Sequence, residues 1–89
     1  MLTAQDREVI VGLCRRYGVT RAVLFGSSTR PDAEAQDIDI AVSGVPDDRY
    51  FEFYGELIFG LSRPIDLVDL DGESRFSALV RAEGVPIYG

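Results

Sequence analysis

The sequence predicts a small α/β domain in which short strands alternate with helices. Apolar residues recur at helical spacing in some segments and at alternate positions in others, and Gly or Pro separates many of these segments. At 89 residues with 46 % hydrophobic side chains, the chain has enough apolar material for one core. We therefore expect residues 1–89 to form a single domain.

The first helix is predicted over residues 3–17, with Thr3 as its N-cap and Gly18 as its stop. Cys14 borders the apolar stripe of this helix, which indicates a small core residue rather than a reactive thiol. Gly84 is the predicted cap of the last helix. After the first helix, the predicted elements are strand, strand, helix, strand, helix and strand, over residues 19–25, 38–42, 46–61, 65–70, 74–83 and 85–88.

The second predicted helix is apolar on more than one side. One set of its residues repeats at three- and four-residue spacing and is predicted to face the core. Three phenylalanines lie off that stripe, and exposed aromatic side chains are unusual on an isolated monomer. They indicate either cover for a sheet edge or a surface that binds a partner. The inward set is Tyr50, Tyr54, Leu57, Ile58 and Leu61, and the second set is Phe51, Phe53 and Phe59.

Composition excludes several kinds of chemistry. All nine basic residues are Arg, and the chain contains neither Lys nor His. Acid–base catalysis by His, a zinc site of the His/Cys type and a Lys nucleophile are therefore excluded. The net charge of −6 argues against nucleic acid as a direct ligand, because phosphate backbones are bound by basic surfaces.

The single cysteine, Cys14, can form no internal disulfide, so a reducing cytoplasm is the expected compartment. The sequence contains no apolar segment long enough to span a membrane, and no basic-then-apolar signal sequence at its amino end. We therefore expect no membrane association.

Acidic side chains mark the second and third predicted strands. Asp37 and Asp39 are two positions apart, so both point to one face of the sheet, while Ile38 and Ile40 point to the other. By the same alternation, Asp66 falls on the side of the two acids if its apolar neighbours face the helices. Carboxylates this close repel one another unless a cation lies between them, and oxygen ligands favour Mg²⁺.

These acids predict a metal site for phosphoryl or nucleotidyl transfer. In that site, Asp66 binds a second metal ion or takes a proton from an attacking hydroxyl. The alternative is a solvated sheet face on which the acids have no chemical role.

A Gly-Ser pair ends the first predicted strand. Gly26 lets the backbone approach a phosphate closely, and the Ser27 hydroxyl and neighbouring amides can donate to phosphate oxygens. Arg30 is a candidate contact for a triphosphate because its guanidinium is permanently charged. The alternative is an ordinary turn with a solvated Arg30. The two acids downstream favour the phosphate interpretation.

Together these residues resemble a known family. The pattern G-S, nine residues, D-I-D over residues 26–39, with Asp66 in a later I-D-L-V strand, resembles the polymerase-β-like nucleotidyltransferases. The chain length and the E-G-V-P-I-Y ending are similar to the minimal, MNT-type group within them. This resemblance implies a mixed sheet of about four strands with helices mainly on one face.

The resemblance also implies roles for individual residues. Asp37 and Asp39 would bind Mg²⁺, and Asp66 would complete the metal site and help to activate the acceptor hydroxyl. Gly26 and Ser27 would hold the β- and γ-phosphates of ATP while the α-phosphorus is attacked.

The acceptor is expected on another chain, because 89 residues leave no room for a second domain that would present it. Minimal nucleotidyltransferases are typically encoded with a helical HEPN partner, often a ribonuclease toxin, and act as its antitoxin. Members of the family can transfer AMP from ATP to a tyrosine of that partner. The resemblance therefore implies a protein adenylyltransferase (an AMPylator) and antitoxin.

Two other functions stay open from the sequence. The chain could be a binding module that neutralises its partner by covering it, using the aromatic second helix. It could also be one subunit of a small-molecule nucleotidyltransferase.

Overall fold

The computed structural model describes residues 2–26, 37–71, 78, 80 and 83–89. Neither helix within these ranges is long and apolar enough to cross a membrane. The helix predicted over 74–83 lies largely outside the described residues, and the other predicted elements are confirmed. They are α1 (Ala4–Tyr17), β1 (Arg21–Leu24), β2 (Ile38–Ser43), α2 (Tyr50–Gly60), β3 (Ile65–Asp69) and β4 (Val85–Tyr88), with a 3-10 turn at Asp47–Arg49 before α2.

Both predicted ends of α1 are confirmed. The Thr3 hydroxyl accepts a hydrogen bond from the Asp6 amide at 3.1 Å, which satisfies one of the free donors of the first turn. Gly18 ends the helix with φ 71°, a left-handed conformation that favours glycine. Asp6 is buried and accepts hydrogen bonds from the Ser62 amide at 3.1 Å and the Ser62 hydroxyl at 2.6 Å. This contact ties the start of α1 to the segment after α2.

The four strands form one mixed sheet, as predicted, and their order in it is β3-β2-β1-β4. β1 pairs antiparallel with both β2 and β4, whereas β2 and β3 are parallel. The parallel pair is joined through α2, which crosses one face of the sheet on the way from β2 to β3. This crossover places β2 and β3 side by side with the same direction.

The main core lies between α1, α2 and one face of the sheet. Cys14 is buried in it, and burial raises the pKa of its thiol to about 11, so it is a core residue rather than a nucleophile, as predicted. The buried apolar residues of this core are Ile10, Leu13, Cys14, Tyr17, Val19, Ala22, Leu24, Ile38, Ile40, Val42, Phe53, Leu57, Leu61, Ile65, Leu67 and Ile87.

The predicted inward stripe of α2 was wrong at two positions. Phe53 is fully buried, and its ring packs edge-on against Tyr17 of α1 at 5.3 Å between centroids. Ile58 is 60 % exposed, because it lies about 100° around the helix from the buried Leu57. Phe53 is four residues before Leu57 and therefore on the same side. The stripe that faces the core is centred between Phe53 and Leu57, toward α1.

A smaller apolar cluster lies on the opposite face of the sheet. It contains Val23, Ala41, Leu70 and Val80. Gly84 lies against this cluster, where a Cβ would come within 2.2 Å of Val23 Cγ1. Close packing on β1 therefore requires a glycine at this position.

Candidate active site

Asp39 and Asp66 lie next to each other on the two parallel strands. The register pairs Asp39 of β2 with Asp66 of β3. The flanking residues Ile38, Ile40 and Leu67 belong to the main core. Because side chains alternate along a strand, the two acids lie on the face away from α1 and α2. Asp39 is half-buried and Asp66 is exposed, so this acidic pair opens to solvent.

Gly26 lies directly against the carboxylate of Asp39. It has φ 64°, and a Cβ at this position would come within 2.8 Å of Asp39 Oδ2. The preceding amide, that of Phe25, donates to the Asp39 carbonyl at 3.1 Å and fixes the end of β1 beside β2. The sequence predicted that Gly26 would admit a phosphate. The sequence did not predict its contact with Asp39, because the two residues are 13 positions apart and no local pattern connects them.

The acids of this face interact electrostatically. Burial raises the pKa of Asp39, and the neighbouring charges of Asp66 and Asp37 raise it further. The ionised form of Asp39 is therefore disfavoured in the protein alone. A bound cation would reverse this effect, because it would neutralise the charges that repel one another.

These acids fit a hard divalent cation by their chemistry, since all of them offer carboxylate oxygens. Across residues 2–26, 37–71 and 83–89, no group of three or more His, Cys, Asp or Glu side chains stands ready to hold a metal ion. Mg²⁺ commonly takes one or two carboxylates and completes its shell with phosphate oxygens and water. Asp39 and Asp66 fit such an incomplete, substrate-dependent site.

Four of the six predicted site residues lie in the described part of the chain. Asp37 is exposed and immediately precedes β2. Asp39, Asp66 and Gly26 lie at the junction of β1, β2 and β3. The predicted phosphate contacts Ser27 and Arg30 lie outside the described residues.

The acids at the other end of β3 serve the fold. Asp71 accepts hydrogen bonds from the Ser43 hydroxyl and from the Gly44 amide, the latter at 2.9 Å. The Asp71 amide in turn donates to Asp69 Oδ1 at 2.9 Å. These bonds tie the carboxyl ends of β2 and β3 together. Asp69 is the last residue of β3, and Asp71 lies in the turn that follows it.

The family described as "Polymerase beta, Nucleotidyltransferase" matches residues 8–89. The chain belongs to this nucleotidyltransferase family. The match includes every strand of the sheet and every acid of the candidate site. The resemblance and the fold class predicted from the sequence are confirmed.

Solved structures of minimal nucleotidyltransferases share this fold. A toxin–antitoxin structure with AMP-PNP is 27 % identical, with a TM-score of 0.74 over 93 % of this chain and 73 % of that one. A tri-AMPylated Shewanella oneidensis HEPN toxin in complex with its MNT antitoxin gives 27 % identity and a TM-score of 0.70, covering 94 % and 70 % of the two chains. A structure described as a minimal nucleotidyltransferase is 30 % identical, with a TM-score of 0.70 over 90 % and 87 %. Among curated proteins, no sequence matches this chain.

Proposed function

We propose that this nucleotidyltransferase transfers AMP from ATP to a tyrosine hydroxyl of a HEPN toxin and thereby acts as its antitoxin. The observation that carries the proposal is the placement of Asp39 beside Asp66, with Gly26 against the Asp39 carboxylate. Two neighbours support the choice of substrates, since one is a complex with AMP-PNP and another contains an AMPylated HEPN toxin. The cytoplasm is the compartment we propose, because Cys14 is a free thiol.

In the proposed site, the acids bind the cation, and the residues that follow β1 bind the phosphates. Asp37, Asp39 and Asp66 would hold Mg²⁺, which neutralises charge on the triphosphate when it is bound. Gly26 lets the backbone lie directly against the Asp39 carboxylate, and the absence of a side chain would also let a phosphate approach the backbone closely. Ser27 and Arg30 are the proposed donors to the β- and γ-phosphates.

The proposed reaction is an in-line displacement at the α-phosphorus of ATP. The acceptor oxygen forms a bond to this phosphorus, and the bond to the bridging oxygen breaks, so that pyrophosphate leaves with the electron pair. Asp66 is the proposed base for the acceptor proton, because it is the exposed member of the acidic pair and a second chain can reach it.

The test measures the intact mass of the HEPN protein encoded beside this chain, after incubation with the chain, Mg²⁺ and ATP. We expect adducts of one or more AMP units. Asp39→Asn should slow transfer at least about 10²-fold, the usual effect of losing one group that stabilises transition-state charge. Glu83→Gln is the matched control, because it removes one charge from an exposed acid beside β4.

Transfer by Asp39→Asn at the wild-type rate would refute the proposed site. Omission of Mg²⁺ gives a second control, since transfer without any divalent cation would contradict the role assigned to the acids. A small hydroxylated acceptor that is modified in the absence of the HEPN chain would instead support the small-molecule alternative.

A second candidate is neutralisation by binding alone. It is favoured by two phenylalanines on the outer side of α2, Phe51 and Phe59, which are 86 % and 94 % exposed. In that case the HEPN protein would keep its mass in the assay, form a stable complex and lose its toxicity. Asp37→Asn would then leave neutralisation intact.

A further inference from the structure

The solvent side of α2 carries a second apolar stripe. Phe51, Gly55, Ile58 and Phe59 follow one another at spacings of four, three and one residues, so they share one side of the helix. The three large side chains are among the most exposed apolar groups in the described part of the chain. We call these four residues the outer stripe. It lies opposite Phe53 and Leu57, the buried positions of the same helix.

Gly55 forms a notch in the middle of the outer stripe. Within the described part of the chain, a Cβ at this position would meet nothing within 4 Å, so no packing there requires a glycine. Gly in a helix interior destabilises it by comparison with Ala. Small residues between large apolar ones let the backbone of another helix approach closely. The notch between Phe51 and Phe59 therefore has the shape of a helix-docking surface.

The rim of the outer stripe is acidic. The 3-10 turn carries exposed Asp47 and Asp48, and Glu52 and Glu56 follow on α2. Glu52 is paired with Arg49 and Glu56 with Arg16, but the Glu52 and Glu56 side chains stay 60 % and 38 % exposed. Four acids and two arginines therefore lie along this rim, and its net charge is negative. It favours a basic occupant and disfavours a second copy of α2, which would bring the same acids together.

The area of the stripe also indicates that the charged rim takes part. A phenylalanine contributes about 150–250 Å² when it becomes buried. The area that Phe51, Phe59 and Ile58 can bury together is smaller than the roughly 800 Å² per partner that a stable interface needs. The remaining contact must come from the polar surroundings, which are the acidic rim on one side.

We propose that the outer stripe of α2 docks an amphipathic helix of the HEPN partner, whose apolar stripe is flanked by Arg or Lys. The inference rests on the proposed function for the identity of the partner. It adds the surface and the chemistry of recognition. Phe51 and Phe59 are the anchors, Gly55 admits the partner's backbone, and the acids of the rim pair with its basic residues.

The test measures the dissociation constant of the complex between this chain and the HEPN protein encoded beside it. The double variant Phe51→Ser, Phe59→Ser should weaken binding on the order of 30-fold or more, as expected for two anchor residues. Val85→Ser is the matched control, because Val85 is an exposed apolar residue on β4 at the other edge of the sheet. We expect it to bind like the wild type.

Gly55→Leu separates docking from folding. The new Cβ meets no described atom within 4 Å, and leucine is a better helix former than glycine, so the melting temperature should not fall. Because the side chain fills the notch, binding should weaken at least about tenfold. An increase in salt concentration should also weaken binding of the wild type, since the acidic rim contributes.

Unchanged affinity in both the double variant and Gly55→Leu would overturn the docking surface, as would a wild-type chain that does not bind the HEPN protein. Loss of self-association in these variants, with partner binding intact, would identify a second copy as the occupant and also overturn it. AMP transfer is measured separately. Transfer that survives in the docking variants would leave the proposed function standing, whereas docking through Phe51 and Phe59 without any transfer would refute that function alone.

Discussion

The two faces of the sheet differ in both composition and exposure. The face under α1 and α2 is covered by large apolar side chains from all four strands. Among the described residues, the opposite face carries a smaller cluster of four buried residues and, beside it, the acidic pair Asp39 and Asp66. One face therefore supplies most of the hydrophobic stabilisation, and the other has room for polar groups that a core would not tolerate.

Strand β2 belongs to both faces, because its side chains alternate. Ile40 is fully buried in the main core, whereas its neighbour Asp39 contributes to the acidic pair. Adjacent positions of one strand thus serve stability and chemistry separately. Substitutions on the helix-covered face should affect folding, and those on the acidic face should affect transfer with little loss of stability.

The largest expected effect is that of Ile40→Ala. It removes a fully buried side chain between the sheet and the helices and should lower the free energy of unfolding by about 2–5 kcal/mol. Total stability is on the order of 5 kcal/mol for a domain of this size, so much of the variant should be unfolded. Urea denaturation followed by circular dichroism measures the change. A loss below about 0.5 kcal/mol, as typical for a surface substitution, would contradict the assignment of the main core.

Gly26→Ala should have an intermediate effect on stability and a larger one on transfer. The left-handed conformation of Gly26 costs a residue with a Cβ roughly 1–2 kcal/mol. The new Cβ would also displace the Asp39 carboxylate, from which it would stand only 2.8 Å away. Thermal unfolding and the AMP-transfer assay, run on the same sample, should show a modest drop in melting temperature and a marked drop in rate. Full activity of the Gly26→Ala variant would show that this glycine is not part of the site.

The contrast between the faces also explains which features the sequence could predict. Alternation along the strands was sufficient to place Asp39 and Asp66 opposite the apolar residues, because the period of two leaves little freedom. The side of α2 that faces the core was harder to predict, since this helix carries apolar residues on more than one side. Phe53 was assigned outward and Ile58 inward, and the choice depended on where α1 lies, which no local pattern specifies. The contact between Gly26 and Asp39 depends on the pairing of β1 with β2 and was likewise not predictable from spacing.

Asp39→Asn should make the protein slightly more stable at neutral pH. The pKa of Asp39 is raised above its ordinary value of 3.8 in the folded state, so stability falls as the pH rises through that raised pKa. The cost of ionising Asp39 in the folded protein is absent at a pH low enough to keep its carboxyl protonated in both the folded and the unfolded state. The gain in melting temperature should therefore be present at pH 7 and vanish below the ordinary value, at about pH 3. Asp47→Asn, an exposed acid of the 3-10 turn, is the control.

Added Mg²⁺ sharpens this prediction. If the acids hold the cation, Mg²⁺ should raise the melting temperature of the wild type and reduce the advantage of Asp39→Asn. A variant that is less stable than the wild type at pH 7 without Mg²⁺ would show that the carboxylates of this face do not repel one another.

The smallest effect on stability is expected from Tyr17→Phe on the helix-covered face. It should depend on pH at the alkaline end of the scale. The Tyr17 hydroxyl donates to Glu56 of α2, and this hydrogen bond, with burial and the charges of Glu52 and Glu56, raises the pKa of Tyr17 to about 12. Its contribution to stability is therefore present below its ordinary value of 10 and is lost as the pH rises through 12. The difference in melting temperature between the wild type and Tyr17→Phe should be constant from pH 7 to about pH 10 and shrink above it.

A difference between the wild type and Tyr17→Phe that does not shrink above pH 10 would contradict this division of the molecule. Between pH 3 and 7, Asp39 on the open face should contribute a titration that changes stability, whereas the Tyr17 phenol stays protonated throughout that range. Above pH 10, the change should come from the contact between α1 and α2. The two faces can thus be distinguished in the same protein by pH, because burial and the neighbouring carboxylates raise the pKa of Asp39, whereas the hydrogen bond to Glu56 and burial raise the pKa of Tyr17.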